Sequence, residues 1–287
     1  MQHIEFFHIS HFENNYHRAK PATGLEGFID FFWETKFEEL LEQYPEGFSD
    51  ALFPNIGYTY LINLGTPFIM QVDDKKFDMK TDGFLPRNKA IECYHRTGNW
   101  LFGIKFKISP IIFKTKVNFA EYREYIYPLS YLMEQMVIDK VKKGDSFDER
   151  VKILNEYFKS IVESYSGSWE AIRIVSDILQ YCEREDDFAR HVEKLAEQHN
   201  ISARTLHRYF ETTTSLSSKK ALQILRIRKA VQQLADSPAE FNYTRYGYYD
   251  NSHFCKHLKQ FLRKETLEGL QPHLQLLKAV NKKQPVV

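Results

Sequence analysis

The strongest constraint on how this chain folds lies near its C-terminus, in residues 192–210. Apolar and polar side chains there follow the spacing of two short helices joined by a tight turn. Leu195 and Ala196 would face inward on the first helix, and Ile201 would fill the turn. Ser202 suits the N-cap of the second helix, because its hydroxyl can accept from a free N–H in the first turn.

The second of these helices has one apolar side and one polar side. Its buried side would hold Leu206, Tyr209 and Phe210, which follow at helical spacing. Its other side carries Arg204, Thr205, His207 and Arg208. A helix that buries one face and offers Arg, Thr and His near its N-terminal end is typical of the recognition helix of a helix-turn-helix unit.

A second, less regular copy of this pattern follows in residues 251–261, where Phe254-x-Lys256-x-Leu258 repeats Leu206-x-Arg208-x-Phe210. Between the copies, residues 217–236 are predicted to form one long amphipathic helix, with its apolar side at Ala221, Leu222, Leu225, Ala230 and Leu234. Two such units on one rigid spacer can reach two successive major-groove segments on one face of DNA, roughly one helical turn apart.

This arrangement resembles the DNA-binding domain of the AraC/XylS family of transcription regulators, from residue 188 to about residue 266. In the first unit and the spacer the matching positions are Leu195-Ala196, Ile201-Ser202, Thr205-Leu206-x-Arg208-x-Phe210, and Arg226 with Ala230. In the second unit they are Gly247-Tyr248-x-Asp250-x-Ser252-His253-Phe254-x-Lys256.

The resemblance implies which side chains face DNA. In the first unit, Arg204, His207 and Arg208 are expected to reach the major groove, and arginine is suited to a bidentate contact with guanine. Ser202 and Thr205 are expected to touch phosphate. The second unit would contribute Asn251, Ser252, Cys255, Lys256 and Lys259. Its two lysines have the spacing of three that places phosphate ligands on one side of a helix.

The sequence departs from the family pattern after and between the two units. The family usually has Gly then Pro after each recognition helix, whereas Ser215 and Ser218 replace the first pair, and Arg263 and Thr266 stand near the second. The helix before Gly247 lacks the family's Ile-Ala pair and is one residue short. Its start, residues 237–240, has the sequence of a capping box with proline at N1. We therefore expect the second unit to read bases less stringently than the first.

Charge is divided unevenly along a chain whose formal net charge is +1. Residues 188–287 contain 17 Lys and Arg against 8 Asp and Glu, a net charge of +9, whereas residues 1–187 contain 22 against 30, a net charge of −8. Phosphate contact and counterion release need positive charge on one domain. Ordinary variation of surface charge is the alternative explanation.

The N-terminal part changes from strand patterns to helix patterns. Aromatic and β-branched runs predict strands at 28–33, 58–64, 67–72, 91–95 and 100–106, with a hairpin at Gly65. Helical spacing follows at 129–141, 146–165 and 169–182. The prediction is an α+β fold in two domains: a small β-barrel or sandwich with helices in residues 1–182 (strands in 28–106, helices in 109–182), a linker at 183–187, and an all-α domain at 188–287.

Two N-terminal segments, 52–64 and 102–106 with Ser109-Pro110 after it, resemble a domain of unassigned role that often precedes AraC-type DNA-binding domains. In the wider family the N-terminal domain is a cupin-like barrel that binds a small effector, dimerises, or does both. The resemblance therefore implies a small-molecule effector, a homodimer, or both for this chain. It does not identify ligand-binding residues.

No metal or cofactor site is predicted. His3, His8, His11 and His17 crowd the N-terminus without a carboxylate or cysteine at a recognised ligand spacing, and Cys93-x-His95 lacks a third ligand. Three isolated cysteines, Cys93, Cys182 and Cys255, fit a reducing cytoplasm. Since neither a signal peptide nor an apolar run of membrane-spanning length is visible, we expect a cytoplasmic protein with no membrane partner.

These features predict a sequence-specific DNA-binding transcription regulator and not an enzyme. Its partners would be double-stranded DNA and, if it activates transcription, RNA polymerase. The alternative is a cupin-like small-molecule-binding protein or enzyme whose helical C-terminal domain does not read DNA. That alternative needs a cluster of ligating or acid–base residues in 28–106, and none is visible. A DNA alkylation-repair protein fused to such a domain would need an acceptor cysteine cluster, which three scattered cysteines do not supply.

Overall fold

Residues 15–113, 122, 124–188 and 192–261 are described by the structure, a computed structural model. His3, His8, His11, Arg263 and Thr266 lie outside these ranges. The strands are β1 (Tyr16–Ala19), β2 (Ile29–Lys36), β3 (Phe48–Leu52), β4 (Tyr58–Asn63), β5 (Phe68–Val72), β6 (Lys75–Met79), β7 (Gly83–Pro86), β8 (Ile91–His95), β9 (Trp100–Phe106) and β10 (Tyr127–Pro128).

Helix α1 (Glu38–Gln43) lies among the strands. The helices that follow the strands are α2 (Gln135–Lys143), α3 (Phe147–Ser164), α4 (Glu170–Glu185), α5 (Val192–Gln198), α6 (Ala203–Thr214), α7 (Ser218–Asp236) and α8 (Asn251–Phe261). The fold is therefore α+β, with strands first and helices second, as predicted. None of the helices in the described ranges is long and apolar enough to cross a membrane.

The N-terminal strands form two antiparallel sheets. The larger has the order β1-β2-β9-β4-β7-β10 and the smaller has the order β3-β8-β5-β6. Alternate side chains of the larger sheet serve two cores. Leu61, Leu85 and Leu101 pack toward the smaller sheet, whereas Ile62 and Phe102 pack on the other side, against α2 and α3. The architecture is two facing sheets covered by helices, and the sheets do not close into a barrel.

The predicted hairpin between β4 and β5 is wrong. Strand β4 pairs with β7 and β9, whereas β5 pairs with β6 and β8 in the other sheet. The turn at Gly65 instead packs on the β8–β9 turn, where Thr66 N donates to Gly98 O at 2.9 Å and Leu64 N donates to Trp100 O at 2.8 Å. A Cβ at Gly65 would lie 2.1 Å from Gly98 O. The chain thus changes sheet at this crossing, which local sequence pattern does not reveal.

Helix α3 is tied to the larger sheet by a buried ion pair. Arg150 Nη1 donates to Glu34 Oε2 at 3.0 Å, and Trp100 Nε1 donates to the other carboxylate oxygen at 3.0 Å. Arg150 Nη2 also donates to Gly144 O at 2.7 Å. Because both charged groups are almost fully buried, loss of either one would leave the other without compensation in the core.

The three helices predicted between 129 and 182 have different outcomes. Those at 146–165 and 169–182 correspond to α3 and α4, whereas the first is divided into a 3-10 turn at Leu129–Tyr131 and helix α2. Helix α4 packs with the C-terminal helices, since its buried residues Ile174, Val175, Ile178 and Cys182 belong to their core. The sequence pattern places α4 with the N-terminal helices, before the predicted linker. The linker at 183–187 stays a prediction.

The C-terminal core is built as the apolar spacing predicts. Leu195, Ala196, Leu206 and Phe210 are buried in the first unit. Spacer helix α7 buries all of its predicted apolar positions, namely Ala221, Leu222, Leu225, Ala230 and Leu234. Phe53 and Ile56, from the loop after β3, join the same core. The N-terminal sheets and the C-terminal helices therefore share an apolar contact.

Candidate nucleic-acid interface

The first helix-turn-helix unit consists of α5, a tight turn and α6. Asn200 has a left-handed backbone conformation with φ of 55°, and Ile201 N donates back to Ala196 O at 3.1 Å. Ser202 Oγ accepts from Thr205 N at 3.1 Å, so the predicted N-cap of α6 is confirmed. This cap satisfies one of the N–H groups that a helix start leaves without an intrahelical partner.

Helix α6 turns its polar side chains outward. Arg204, His207 and Arg208 are exposed, whereas Leu206 and Phe210 on the opposite side are fully buried. The predicted phosphate contacts lie at the start of the helix, where Ser202 is exposed and Thr205 is half-buried. His207 Nε2 lies 3.6 Å from the Glu211 carboxylate, and the Arg208 guanidinium lies 5.8 Å from the centre of the Tyr209 ring. Arg204 makes no ion pair with any residue in the described ranges.

Helix α6 is anchored outside its own unit at its middle and near its C-terminal end. The Tyr209 hydroxyl donates to Glu170 Oε2 at 2.8 Å, at the start of α4. Near the C-terminal end, Thr213 O accepts from Ser109 N of the N-terminal domain at 2.5 Å. Ser215 caps this end in the left-handed conformation, with φ of 62°. The orientation of the recognition helix thus depends on contacts from both parts of the chain.

In the second unit, the exposed cations of α8 are lysines, whereas those of α6 are arginines. Asp250 Oδ1 accepts from His253 N at 2.6 Å and caps the helix start. The predicted residues Ser252, Lys256 and Lys259 are exposed. Asn251 and Cys255 are half-buried, and Cys255 Sγ lies 3.7 Å from Asn251 Oδ1. All ten predicted DNA-facing residues therefore lie on the two recognition helices or at their starts.

The segment before α8 differs from the prediction of a capped helix at 237–240. It forms two 3-10 turns, Pro238–Glu240 and Tyr243–Tyr246, and Ser237 makes no side-chain cap. Asn242 Oδ1 accepts from Thr244 N at 2.9 Å and from Thr244 Oγ1 at 2.6 Å. The Asn242 side chain thus starts a new turn and interrupts the helix. The capping-box prediction is wrong, because Ser237 ends α7, where its N–H donates to Gln233 O at 2.8 Å, and its side chain caps no helix.

Arg226 of spacer α7 holds the second unit in place. Its Nη2 lies 3.2 Å from His257 Nδ1, and its guanidinium lies 4.4 Å from the centre of the Tyr248 ring. Burial, together with the nearby charge of Arg226, lowers the pKa of His257 to about 4. His257 is therefore neutral at pH 7, and its Nδ1 can accept a hydrogen bond from Arg226. This contact fixes α8 on the spacer.

Tyr249, in the turn before α8, was not singled out from the sequence. Its side chain is 89% exposed, whereas the ring of neighbouring Tyr248 is buried beneath Arg226. The adjacent tyrosines Tyr248 and Tyr249 are the sequence feature that indicates an exposed ring, because two consecutive residues in a turn rarely both face the core.

A cavity of about 340 Å³ lies between the two parts of the chain. Its walls come from β2, the loop after β3, β9, α4 and α7, and include Asp30, Ile56, Lys105, Ser176, Leu225 and Arg228. Lys105 Nζ lies 2.9 Å from Asp30 Oδ2. Arg228 Nη1 donates to Pro54 O at 2.9 Å. Sequence pattern did not indicate this cavity, because its wall residues meet only when the domains dock.

The charged groups of the cavity perturb one another. Burial lowers the pKa of Lys105 to about 8; the Asp30 charge opposes this shift, whereas Arg228 and Arg87 add to it. Burial on its own would raise the pKa of Asp30, but Lys105 and Lys107 outweigh burial and hold it below its usual value. Arg87, Lys105 and Arg228 are all nearly inaccessible to solvent. The cavity wall therefore has more cationic than anionic side chains, and two of the cations, Lys105 and Arg228, are buried.

Cys93 and His95, considered above as metal ligands, lie in the core between the sheets. The His95 ring stacks on Phe37 with centroids 3.9 Å apart and lies 5.0 Å from the ring of Phe48. Cys93 belongs to the same apolar core. Within the described ranges, no three His, Cys, Asp or Glu side chains come together as a candidate metal site.

Comparisons with known proteins agree with the geometry of the C-terminal part. A family described as a helix-turn-helix domain matches residues 195–265. No curated protein matches the chain. Among solved structures, ToxT from Vibrio cholerae in a P21 crystal form is 8% identical, with 89% of this chain and 99% of that chain covered and a TM-score of 0.44.

Two further structures give similar values. ToxT from Vibrio cholerae O395 is 13% identical, with coverage of 78% and 94% and a TM-score of 0.41. The AraC-like transcriptional activator CuxR is 11% identical, with coverage of 79% and 92% and a TM-score of 0.30.

Proposed function

We propose that the chain is a sequence-specific transcription regulator that reads double-stranded DNA with α6 and α8. Residues 195–265 match a helix-turn-helix family, and this region resembles the DNA-binding domain of AraC-type regulators. The observation that carries the proposal is the two-sided structure of α6. Three cationic or ionisable side chains, Arg204, His207 and Arg208, point to solvent while Leu206 and Phe210 hold the helix on the core.

The two helices have unequal roles. Arg204 and Arg208 can donate two hydrogen bonds each to guanine, which is the commonest specific contact in the major groove. Helix α8 offers Ser252, Lys256 and Lys259, of which the lysines suit phosphate. Asn251 and Ser252 are short polar side chains, so they reach fewer base edges than the arginines of α6 can. The first unit is therefore the main determinant of specificity.

Substitution of Arg204 tests this assignment. Arg204→Ala should weaken binding to the preferred site by about 1–3 kcal/mol and relax the preference at one base pair. Arg173→Ala is the matched control, because Arg173 is an exposed arginine on α4, with 64% of its side chain accessible. Fluorescence anisotropy on the preferred site and on single-base variants measures both effects. Equal binding by the wild type and Arg204→Ala would contradict the role of α6.

The N-terminal domain supplies the regulatory input in this proposal, by sensing a small molecule, by dimerisation, or by both. The cavity between the domains supports the first of these. Its walls come from β2 and β9 on one side and from α4 and α7 on the other. A ligand held there would contact both parts of the chain at once and could change how firmly they dock.

The cavity favours a compact organic anion. Lys105, Lys107 and Arg228 outnumber Asp30 and Glu183 among the charged side chains of the wall, and Ile56, Leu179 and Leu225 supply apolar surface. A carboxylate on a short hydrocarbon group would fit both features, since small-ligand sites are mostly apolar with a few placed polar groups.

A matched ligand panel tests the effector site on the intact chain. Monocarboxylates of four to ten carbons, each beside its primary amide, are added during thermal unfolding. We expect at least one acid to raise Tm while its amide does not, and we expect Arg228→Gln to abolish the effect. The same rise in Arg228→Gln, or no rise with any acid, would contradict this site and leave the DNA-binding proposal intact.

A further inference from the structure

Tyr249 is the most exposed large side chain with apolar surface in the described ranges, at 89% accessibility. It forms no hydrogen bond or ring contact with the residues described. The neighbouring Tyr248, by contrast, contributes to packing: its ring is buried against Phe254 and His257 and lies under Arg226. Packing within the chain therefore does not account for Tyr249.

The position of Tyr249 relative to α8 is well defined. Asp250 caps the helix through His253 N, and α8 begins at Asn251. Tyr249 lies two residues before that first helical residue, so their Cα atoms are no more than about 7.6 Å apart. Gly247 in the left-handed conformation, with φ of 73°, ends the preceding turn. The buried Tyr248 and the capped helix start leave the Tyr249 side chain little room to turn toward the core.

The start of a recognition helix is the part that enters the major groove. The groove is about 12 Å wide and bounded by phosphates on both sides, so a side chain just before the helix lies at its edge. There, tyrosine is among the side chains that donate to phosphate oxygens.

We propose that the Tyr249 hydroxyl donates to a DNA phosphate at the edge of the groove entered by α8, and that this contact positions the second unit. The proposal rests on the DNA-reading function inferred above. It adds a neutral phosphate contact to the lysines of α8, Lys256 and Lys259. Tyr249 is thus a positioning residue: it sets how α8 enters the groove and carries no preference for a base.

The test uses the full chain and the DNA site that it selects from a random pool. Tyr249→Phe removes only the hydroxyl. It should weaken binding roughly 3- to 30-fold, both on the selected site and on sites altered in the half read by α8. The slope of log Kd against log salt concentration should not change, because a neutral donor releases no counterion. Lys256→Met should reduce that slope by about 1.

Two controls keep the result interpretable. Tyr131→Phe alters an exposed tyrosine of the N-terminal domain and should bind DNA as the wild type does. Thermal unfolding of Tyr249→Phe should match the wild type, because the side chain is exposed. A lowered Tm would show instead that the hydroxyl serves the fold and would overturn the proposal.

Other outcomes also decide the matter. Unchanged binding by Tyr249→Phe would overturn the proposal. So would a loss confined to sites with one particular base, since that result would assign the side chain to base reading. If the wild type itself selects no DNA, the proposed DNA-reading function is contradicted. If the wild type and Tyr249→Phe bind DNA equally well, only the role of the Tyr249 hydroxyl is contradicted.

Discussion

Lys105 shows how a single residue is governed by the contact between the domains. Its folded-state pKa is about 8, mainly because of burial, whereas an unfolded lysine has a pKa near 10.4. Between these two values the unfolded chain binds more protons than the folded chain, so the free energy of unfolding rises with pH. The burial cost of the charge is fully present below pH 8 and is relieved as pH rises toward 10.4.

We therefore predict that Lys105→Met removes a rise in stability between pH 7.5 and pH 9.5. In the wild type the contribution from Lys105 should be on the order of 1–2 kcal/mol over that range. Urea unfolding at the two pH values measures it. The control is Lys107→Met, because the Lys107 amine lies nearby and donates to Glu26 O in an exposed position. The same pH dependence in Lys105→Met and the wild type would contradict the burial of this charge.

Residue-level predictions from the sequence succeeded where helical spacing alone decides exposure. Arg204, His207 and Arg208 were correctly placed on the outer side of α6 because Leu206 and Phe210 define its inner side. The wall of the interdomain cavity could not be predicted this way. Lys105 lies on β9 and Arg228 on α7, and nothing in their local sequence shows that docking brings them to one cavity.

At the scale of the elements, the end of α6 explains one departure from the family pattern. Ser215 stands where the family usually has glycine, and its φ of 62° is the left-handed conformation that favours glycine. Its buried hydroxyl has no hydrogen-bond partner in the described ranges. Ser215 therefore adopts the backbone conformation of that glycine. This conformation is strained for a serine, and the buried hydroxyl without a hydrogen bond also costs free energy.

Replacement of Ser215 by glycine should accordingly stabilise the protein by about 0.5–1 kcal/mol, measured by urea unfolding. Ser237→Gly is the matched control. Ser237 also ends a helix, α7, but with φ of −144°, so glycine there should be neutral or destabilising. Destabilisation by Ser215→Gly would show that the serine side chain contributes more than its backbone conformation costs.

The elements also show where local pattern misleads. The sequence pattern predicts strands β4 and β5 but wrongly pairs them in one hairpin, because a glycine between two apolar runs is typical of tight turns. The close approach of Gly65 to Gly98 O decides otherwise. Partner choice depends on such long-range contacts, whereas the periodicity that identified α6 and α7 is local.

At the scale of the whole molecule, α4 packs with the C-terminal helices. Four buried residues of α4 belong to the C-terminal core, and Tyr209 of α6 donates to Glu170 at the start of α4. We predict that a fragment of residues 169–287 unfolds cooperatively on heating, whereas a fragment of residues 188–287 does not, because it exposes the surface that α4 covers. Circular dichroism compares them. Equal cooperativity would support a boundary at 183–187.

The homodimer expected from the sequence also involves the whole molecule and stays a prediction. In residues 129–182 the exposed large apolar side chains of the described ranges are Tyr131, Met136 and Trp169. Helix α4 is engaged with the C-terminal core, which leaves α2 and α3 as the helices available to a second copy. Sedimentation of the intact chain at tens of micromolar decides: a strict monomer would contradict dimerisation.

Selection of DNA from a random pool by the intact chain tests the central claim most directly. We predict an enriched site with two base-specific segments whose centres lie about 10 base pairs apart. One segment should carry more information, and Arg204→Ala should relax that segment, because α6 is the stronger reader. No enrichment over the starting pool, or a stronger segment that Arg204→Ala leaves unchanged, would contradict it.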